Sequence, residues 1–233
     1  HTAKAGMAVW VQLLPAGKVM LHALVTAADR GVRIRFLLDD IFTTTPDKNL
    51  LLINQHPNIE VRLFNPLSRR GFRALNFVGD FRRANRRMHN KSFTADNAIS
   101  IVGGRNIGNH YFGVDTHANF RDLDIAAAGP VVREVSTAFD RFWNSNWSVP
   151  VKTLVDRPYT QADLENAMSV MRQKIAVNDY PYPLDEDVAE LKSELETILG
   201  GLIWAPGTII YDQPEDVDGQ LVDDTIDRKF YEK

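Results

Sequence analysis

In the segment MHNKSFTADNAISIVGGRN, His89, Lys91, Asp96, Gly103, Gly104 and Asn106 fall within eighteen residues. Alternate side chains of a strand share a face, so His89 and Lys91 are expected to project together: an imidazole able to act as nucleophile or acid beside an ammonium. That pair suits a phosphodiester. The two glycines would let the main chain approach an anion, a helix start expected in GGRNIGNHYF would aim peptide N–H groups at it, and the Asn106 amide could donate to it.

Alternating helices and strands are expected to position these groups. Residues 17–30 place Val19, Met20, Ala23, Leu24 and Ala27 at helical spacing before Gly31, and VRIRFLLDD follows as a strand. A helix over 46–56 precedes the strand IEVRLF at 59–64. KSFTA and AISIV read as a hairpin turning at Asp96-Asn97, RDLDIAAA at 121–128 as a further strand, and PVVREVSTAFDRFW as a helix with proline in its first turn. Such alternation predicts an α/β layered domain with a largely parallel sheet. Farther on, Thr160 and Asp163 form a candidate capping box, and Leu184, Val188, Leu191, Leu195 and Ile198 make a packed helical stripe.

The composition is that of a globular chain: 233 residues, 44% hydrophobic and 24% charged, which excludes disorder throughout. With no cysteine, a disulfide scaffold, a thiol nucleophile and a zinc-thiolate site are excluded as well. The net charge of −3 conceals a separation. Residues 69–91 carry Arg69, Arg70, Arg73, Arg82, Arg83, Arg86, Arg87 and Lys91 against Asp80 alone, interleaved with Phe72, Phe77 and Phe81. From Asp179 onward the balance is acidic. The basic stretch could meet nucleic acid, anionic lipid head groups or a phosphorylated substrate, or it could be a solvated loop. His110, Asp115 and His117 match no ligand spacing and read as exposed loop residues. Trp10, Trp143, Trp147 and Trp204 are expected at domain edges, with Trp143 and Trp147 also candidates for a lipid interface.

The His89-to-Asn106 segment resembles the HxKxxxxD(x6)Gx(x)N signature of the phospholipase D superfamily at every recurring position, with Gly104 where a serine often stands. Six specified residue types arise by chance roughly once in 10⁷ to 10⁸ starting points. VTAADRGVRIRFLLDD before the motif and FRDLDIAAAGPVV after it extend the likeness over about residues 17–150, and the GGRNIGNHYF form is most similar to bacterial cardiolipin synthases of the C-type branch. The resemblance implies a phospholipase D-like layered α-β-α domain with a mixed, largely parallel sheet, followed by a helical acidic extension. The expected organisation is a half-domain over residues 1–150 with one motif, a helical linker region over 151–202, and residues 203–233 as the start of a second half or an acidic tail.

The resemblance also implies phosphatidyl transfer in two displacements through a covalent phosphohistidine, with no metal and no cofactor. His89 would be the nucleophile or the acid. Lys91 and Asn106 would hold non-bridging phosphate oxygens, with Gly103, Gly104 and Arg105 lining the phosphate. Asp122, in preference to Asp124, would receive the ring N–H of His89, and Asp96 would order the hairpin. Two such motifs make a site, yet among the six histidines only His89 has a lysine two residues on. The second motif would come from a longer parent chain or a symmetric dimer mate.

Both ends read as cuts in such a parent. The chain opens His1-Thr2-Ala3, only GMAVWVQ stands where the family's first strand is expected, and LIWAPGTIIYDQP resembles the opening strand of a second half. Loss of a central first strand would leave the sheet exposed, and instability or unusual association is expected of such a fragment. The implied partner is an anionic phospholipid at a bacterial inner membrane, reached peripherally or through an anchor outside this sequence. Nucleic acid ranks lower: a homodimeric phosphodiesterase or nuclease is the alternative enzyme, and an inactive phosphate-binding fragment the alternative without catalysis.

Overall fold

A computed structural model describes residues 4–8, 15–40, 47–66, 87–115, 117–154, 159–177 and 188–214. In chain order the elements are β1 (Lys4–Ala8), α1 (Pro15–Asp29), β2 (Arg33–Asp39), α2 (Asp47–Ile53), β3 (Ile59–Phe64), β4 (Lys91–Ala95), β5 (Ile99–Gly103), β6 (Asp124–Ala128), α3 (Val131–Asn144), β7 (Ser148–Pro150), α4 (Gln161–Val177) and α5 (Val188–Gly200). Short 3₁₀ turns lie at Asn109–Tyr111 and Val151–Thr153. The seven strands form one sheet in the order β6-β5-β4-β1-β2-β3-β7.

The sheet is mixed, as expected, but its balance runs the other way from the sequence reading. Only β1 with β2 and β2 with β3 pair in parallel; the other four pairings are antiparallel. The tight turn between β4 and β5 makes that pair antiparallel, because so short a connection can join only antiparallel neighbours; the other three antiparallel pairs are joined across longer stretches of chain. Asp96 and Asn97 take φ of 53° and 54°, the left-handed pair such a turn needs. The strand expected at 121–128 begins at Asp124, so Asp122 precedes it.

The first strand is present where its loss was expected. KAGMA forms β1 at the centre of the sheet, between β4 and β2, so that edge is not exposed and the expected instability loses its basis. A Cβ at Gly6 would sit 3.4 Å from the Phe139 ring, so glycine here lets α3 lie close to the strand.

Alternation along β2 sorts its side chains between two cores. Ile34, Phe36 and Leu38 join Leu21, Val25, Leu50, Val61 and Leu63 beneath α1 and α2. Leu37 points the other way, into a cluster with Phe64, Met88, Phe139, Phe142 and Trp143. Trp143 is therefore core rather than domain edge, whereas Trp204 is exposed.

Beyond residue 150, α4 buries Leu164 and Met168 in the first core. It opens on the expected capping box, with Asp163 N donating to Thr160 Oγ1 at 3.2 Å and Thr160 N to Asp163 Oδ2 at 2.8 Å. Residues 202–213, expected to open with a strand, have no regular structure and run along α3. Arg69 to Arg86 with their phenylalanines, Trp10, Leu184 and the tail from 215 lie outside the described residues.

Candidate active site

Register decides where the motif lands. Ala8 pairs with Leu37 on one side and with Ser92 on the other, so the start of β4 lies at the same end of the sheet as the C-terminal end of β2. Asp39 ends β2 with 2% exposure. Its Oδ2 accepts from the Met88 N–H at 2.9 Å, and its Oδ1 faces Arg87 Nη1 at 3.4 Å. The same Arg87 nitrogen donates to the Asn65 carbonyl at 3.1 Å, from a residue whose φ is 46°. Both charges of this pair are almost wholly removed from water, so each depends on the other for compensation. The pair fixes residues 87–88, and His89 leaves from that fixed point.

His89 stands before the strand, not in it, so strand alternation does not set its direction. The structure joins it to Lys91 differently: Lys91 Nζ donates to the His89 carbonyl oxygen at 2.7 Å. The His89 side chain is exposed, yet partial desolvation, followed by the Lys91 ammonium, lowers its pKa, while Asp212 acts in the opposite direction. Lys91 is half-buried, and desolvation lowers its pKa too, against the carboxylates of Asp122 and Asp39.

Carboxylates bear on both groups. Asp122 lies against Gly104 and acts on Lys91, with its Oδ1 accepting from the Leu123 N–H at 3.0 Å; the Asp212 charge, from the far end of the described chain, bears on His89. Gly103 and Gly104 serve close packing. A Cβ at Gly103 would fall on Asp124 and one at Gly104 on Asp122, so the pair lets β5 approach the segment entering β6.

Arg105, expected to line the phosphate, is spent on its own loop. It pairs with Asp124, donates to the Tyr111 carbonyl and, at 3.3 Å, to the Asp122 carbonyl, and lies over the Phe112 ring at 5.6 Å. The helix start expected after the glycines is only the 3₁₀ turn at Asn109–Tyr111, too short to focus N–H groups on an anion. Asn109 Oδ1 instead accepts from Ala16 N at 3.2 Å, tying the loop to the first turn of α1. Asn106 is buried; its Nδ2 donates to Tyr111 Oη at 3.1 Å, and its Oδ1 has no hydrogen-bond partner among the described residues.

Beside these groups opens a cavity of about 320 Å³, with Lys91, Arg105 and Asp124 among its polar lining and Met20, Phe93, Ile101, Ile107 and Phe112 forming apolar walls. In the loop beyond, His110 Nδ1 lies 2.9 Å from the Ala118 carbonyl and 3.2 Å from Asp115. Among the described residues no three histidines or carboxylates gather as a metal-ligand set.

Residues 2–143 match the family model described as cardiolipin synthase, PLD-like domain. The chain belongs to this family. It is 48% identical over 158 residues to cardiolipin synthase C of Escherichia coli, covering 68% of this chain and 33% of that protein. Against the major cardiolipin synthase ClsA of Bacillus subtilis it is 30% identical over 129 residues, covering 55% of this chain and 25% of the relative. The chain therefore spans about a third or less of these two relatives. Among solved structures, NucT from Helicobacter pylori aligns with TM-score 0.46 and 14% identity over 63% of this chain and 81% of its own. Phosphatidylserine synthase of Haemophilus influenzae aligns with TM-score 0.46 and 12% identity over 76% and 39%.

What the sequence reading missed in this PLD-like domain is the support around the motif: Asp39, Tyr111 and Asp212, and the role of Arg87 as a buried anchor rather than part of a basic face. The VRIRFLLDD resemblance included Asp39 without giving it a task. Nothing local signals that the Asp212 charge bears on His89.

Proposed function

We propose that this PLD-like domain supplies one catalytic half of a phosphatidyltransferase of the cardiolipin synthase type, acting on an anionic phospholipid at a membrane surface. His89 is the nucleophile: desolvation and the Lys91 charge favour its neutral ring, the form that can attack phosphorus. In the first step a bond forms between a His89 ring nitrogen and phosphorus while the bond to the departing alcohol oxygen breaks. A second histidine, from another segment of a longer protein or another copy, protonates that oxygen. In the second step the same group takes the proton of an incoming alcohol, whose oxygen displaces His89 and restores a phosphodiester. Lys91 neutralises charge on the non-bridging oxygens as the five-coordinate state forms. Asn106 lies in the same motif, its amide held by Tyr111.

The observation that carries the lipid reading is the cavity beside Lys91. A nucleic-acid backbone asks for cationic and stacking surfaces along its track. An ammonium next to a recess walled by Met20, Phe93, Ile101, Ile107 and Phe112 suits a phosphate that bears acyl chains. Among the described residues no helix is long and apolar enough to cross a membrane.

Incubation of the protein, together with the segment or copy that supplies the second histidine, with phosphatidylglycerol vesicles and, separately, with single-stranded DNA separates the alternatives. The expected result is cardiolipin and glycerol from the vesicles, abolished by His89→Gln, with DNA left intact. DNA cleavage lost in the same variant would establish the phosphodiesterase instead. Product from neither, in a folded protein, would favour a silent phosphate-binding domain.

A further inference from the structure

A cavity of about 550 Å³ opens at the end of the sheet opposite His89, where β1, β2 and β3 begin and α3 packs against them. From Arg33 to Asp39 the strand is roughly 20 Å long at 3.3 Å per residue, and this cavity shares no lining residue with the one beside Lys91. Parallel register sets Lys4 beside Arg33 and Gly6 beside Arg35. Alternation along β2 sends Arg33 and Arg35 to one face of the sheet, and the bond from Arg35 to Asp140 shows that this face looks toward α3. Because Gly6 has no side chain, the Phe139 ring stands close over β1 as an aromatic wall.

Five charged side chains line the space, and three of them are already committed. Arg35 Nη1 donates to Asp140 Oδ1 at 2.5 Å, and its guanidinium lies 4.8 Å from the centre of the Phe139 ring. Glu60 is held by Arg62 at 2.8 Å. The Lys4 ammonium and the Arg33 guanidinium remain, and neither head group has a hydrogen-bond or ion-pair partner among the described residues. Asn97 adds a donor, because its Oδ1 accepts from Ser136 Oγ at 2.6 Å and its Nδ2 is unspent among the same residues. Two cations in register repel, and a ligand carrying two negative charges between them removes that repulsion while accepting N–H bonds from both.

We propose that this cavity is a binding site for a phosphate monoester, whose dianion bridges Lys4 and Arg33 while its organic part lies against Phe139. A phosphate monoester is close to doubly negative at neutral pH, and the volume falls within the range of sites that hold a whole small molecule. The site uses fixed charges and involves none of the groups around His89.

The test is calorimetric titration of the full 233-residue chain carrying Lys91→Met, which removes the cation of the other anion site. The probes are glycerol 3-phosphate and, separately, phosphatidylcholine vesicles with and without phosphatidic acid. The expected result is binding of the phosphate ester and none of glycerol. Arg33→Gln and Lys4→Gln should each weaken it about tenfold, Arg33→Lys less, and the double variant should abolish it. Both head groups are without partners among the described residues, so the variants are expected to unfold in urea at the wild-type midpoint. Binding of the soluble ester identifies a free small molecule as the source of the phosphate, and binding of the phosphatidic acid vesicles alone identifies a lipid head group; either supports the site when the double variant removes it. No binding from either source, or an affinity unchanged in the double variant, overturns the proposal. Should Lys91→Met not fold, the amide resonances of Gly6 and Arg33 are followed in the otherwise unaltered chain, and their failure to move with added ester overturns it equally. Neither reading depends on phosphatidyl transfer.

Discussion

The two halves of the sheet differ in what holds them. In β2 and β3, Phe36, Leu37, Leu38, Val61, Leu63 and Phe64 are almost entirely removed from water by helices on both faces. In β5 and β6, Ile101 and Ile125 remain exposed, and glycine pairing with Asp124 at the strand ends replaces side-chain packing. The candidate chemistry lies at the seam. Asp39, from the buried half, fixes the segment that delivers His89, while the open half leaves Lys91 beside an accessible cavity. Rigid anchoring and substrate access are thus assigned to opposite sides of β4.

Breaking the anchor should cost most. Asp39→Ala leaves the Arg87 guanidinium buried without its counter-charge, a loss of about 3–5 kcal/mol expected in urea denaturation. Phe36→Ala, in the packed half, should cost about 3–5 kcal/mol through the cavity it leaves. Its counterpart in the open half, Ile125→Ala, should stay within about 0.5 kcal/mol, and equal losses at the two positions would abolish the contrast between the halves.

Gly104→Ala forces a methyl group onto the Asp122 carboxylate, and a cost of about 1–3 kcal/mol is expected, with turnover falling alongside thermal stability. Lys91→Met sharpens the comparison because it separates chemistry from packing. Loss of a desolvated cation should leave stability unchanged or slightly higher, while turnover drops about 10²–10³-fold. Lys91→Arg should also damage turnover, since a planar fork does not replace a compact ammonium; wild-type rates there would remove lysine from the mechanism.

The smallest effect is on pH dependence. The folded His89 pKa is lowered by desolvation and Lys91, so between that value and the ordinary histidine value the unfolded chain binds more protons and stability rises slightly with pH. Turnover should fall as pH drops through the lowered His89 midpoint and fall again on the alkaline side, where the partner acid loses its proton. Rates rising monotonically from about pH 5 to 9 would contradict this pairing of roles.

Local signals made much of this molecule readable. The hairpin followed from Asp96-Asn97, the start of α4 from Thr160 and Asp163, and the motif from the spacing of His89, Lys91 and Asn106. Non-local packing explains the failures. KAGMA gave no strand signal because it lacks β-branched residues and carries a glycine that serves the Phe139 contact, so only its place between β2 and β4 makes it a strand. Arg87 read as one more member of a basic run until the fold brought Asp39 against it. The charge of Asp212 on His89 had no local signal because motif spacing carries no information on what a distant segment brings back.

The central claim is a covalent bond between phosphorus and His89, and rapid quench of the enzyme turning over phosphatidylglycerol labelled at phosphorus tests it directly. Acid-labile label recovered on the peptide containing His89, and absent from His89→Gln, is the predicted result. No adduct at any time, together with undiminished turnover in His89→Gln, would contradict it.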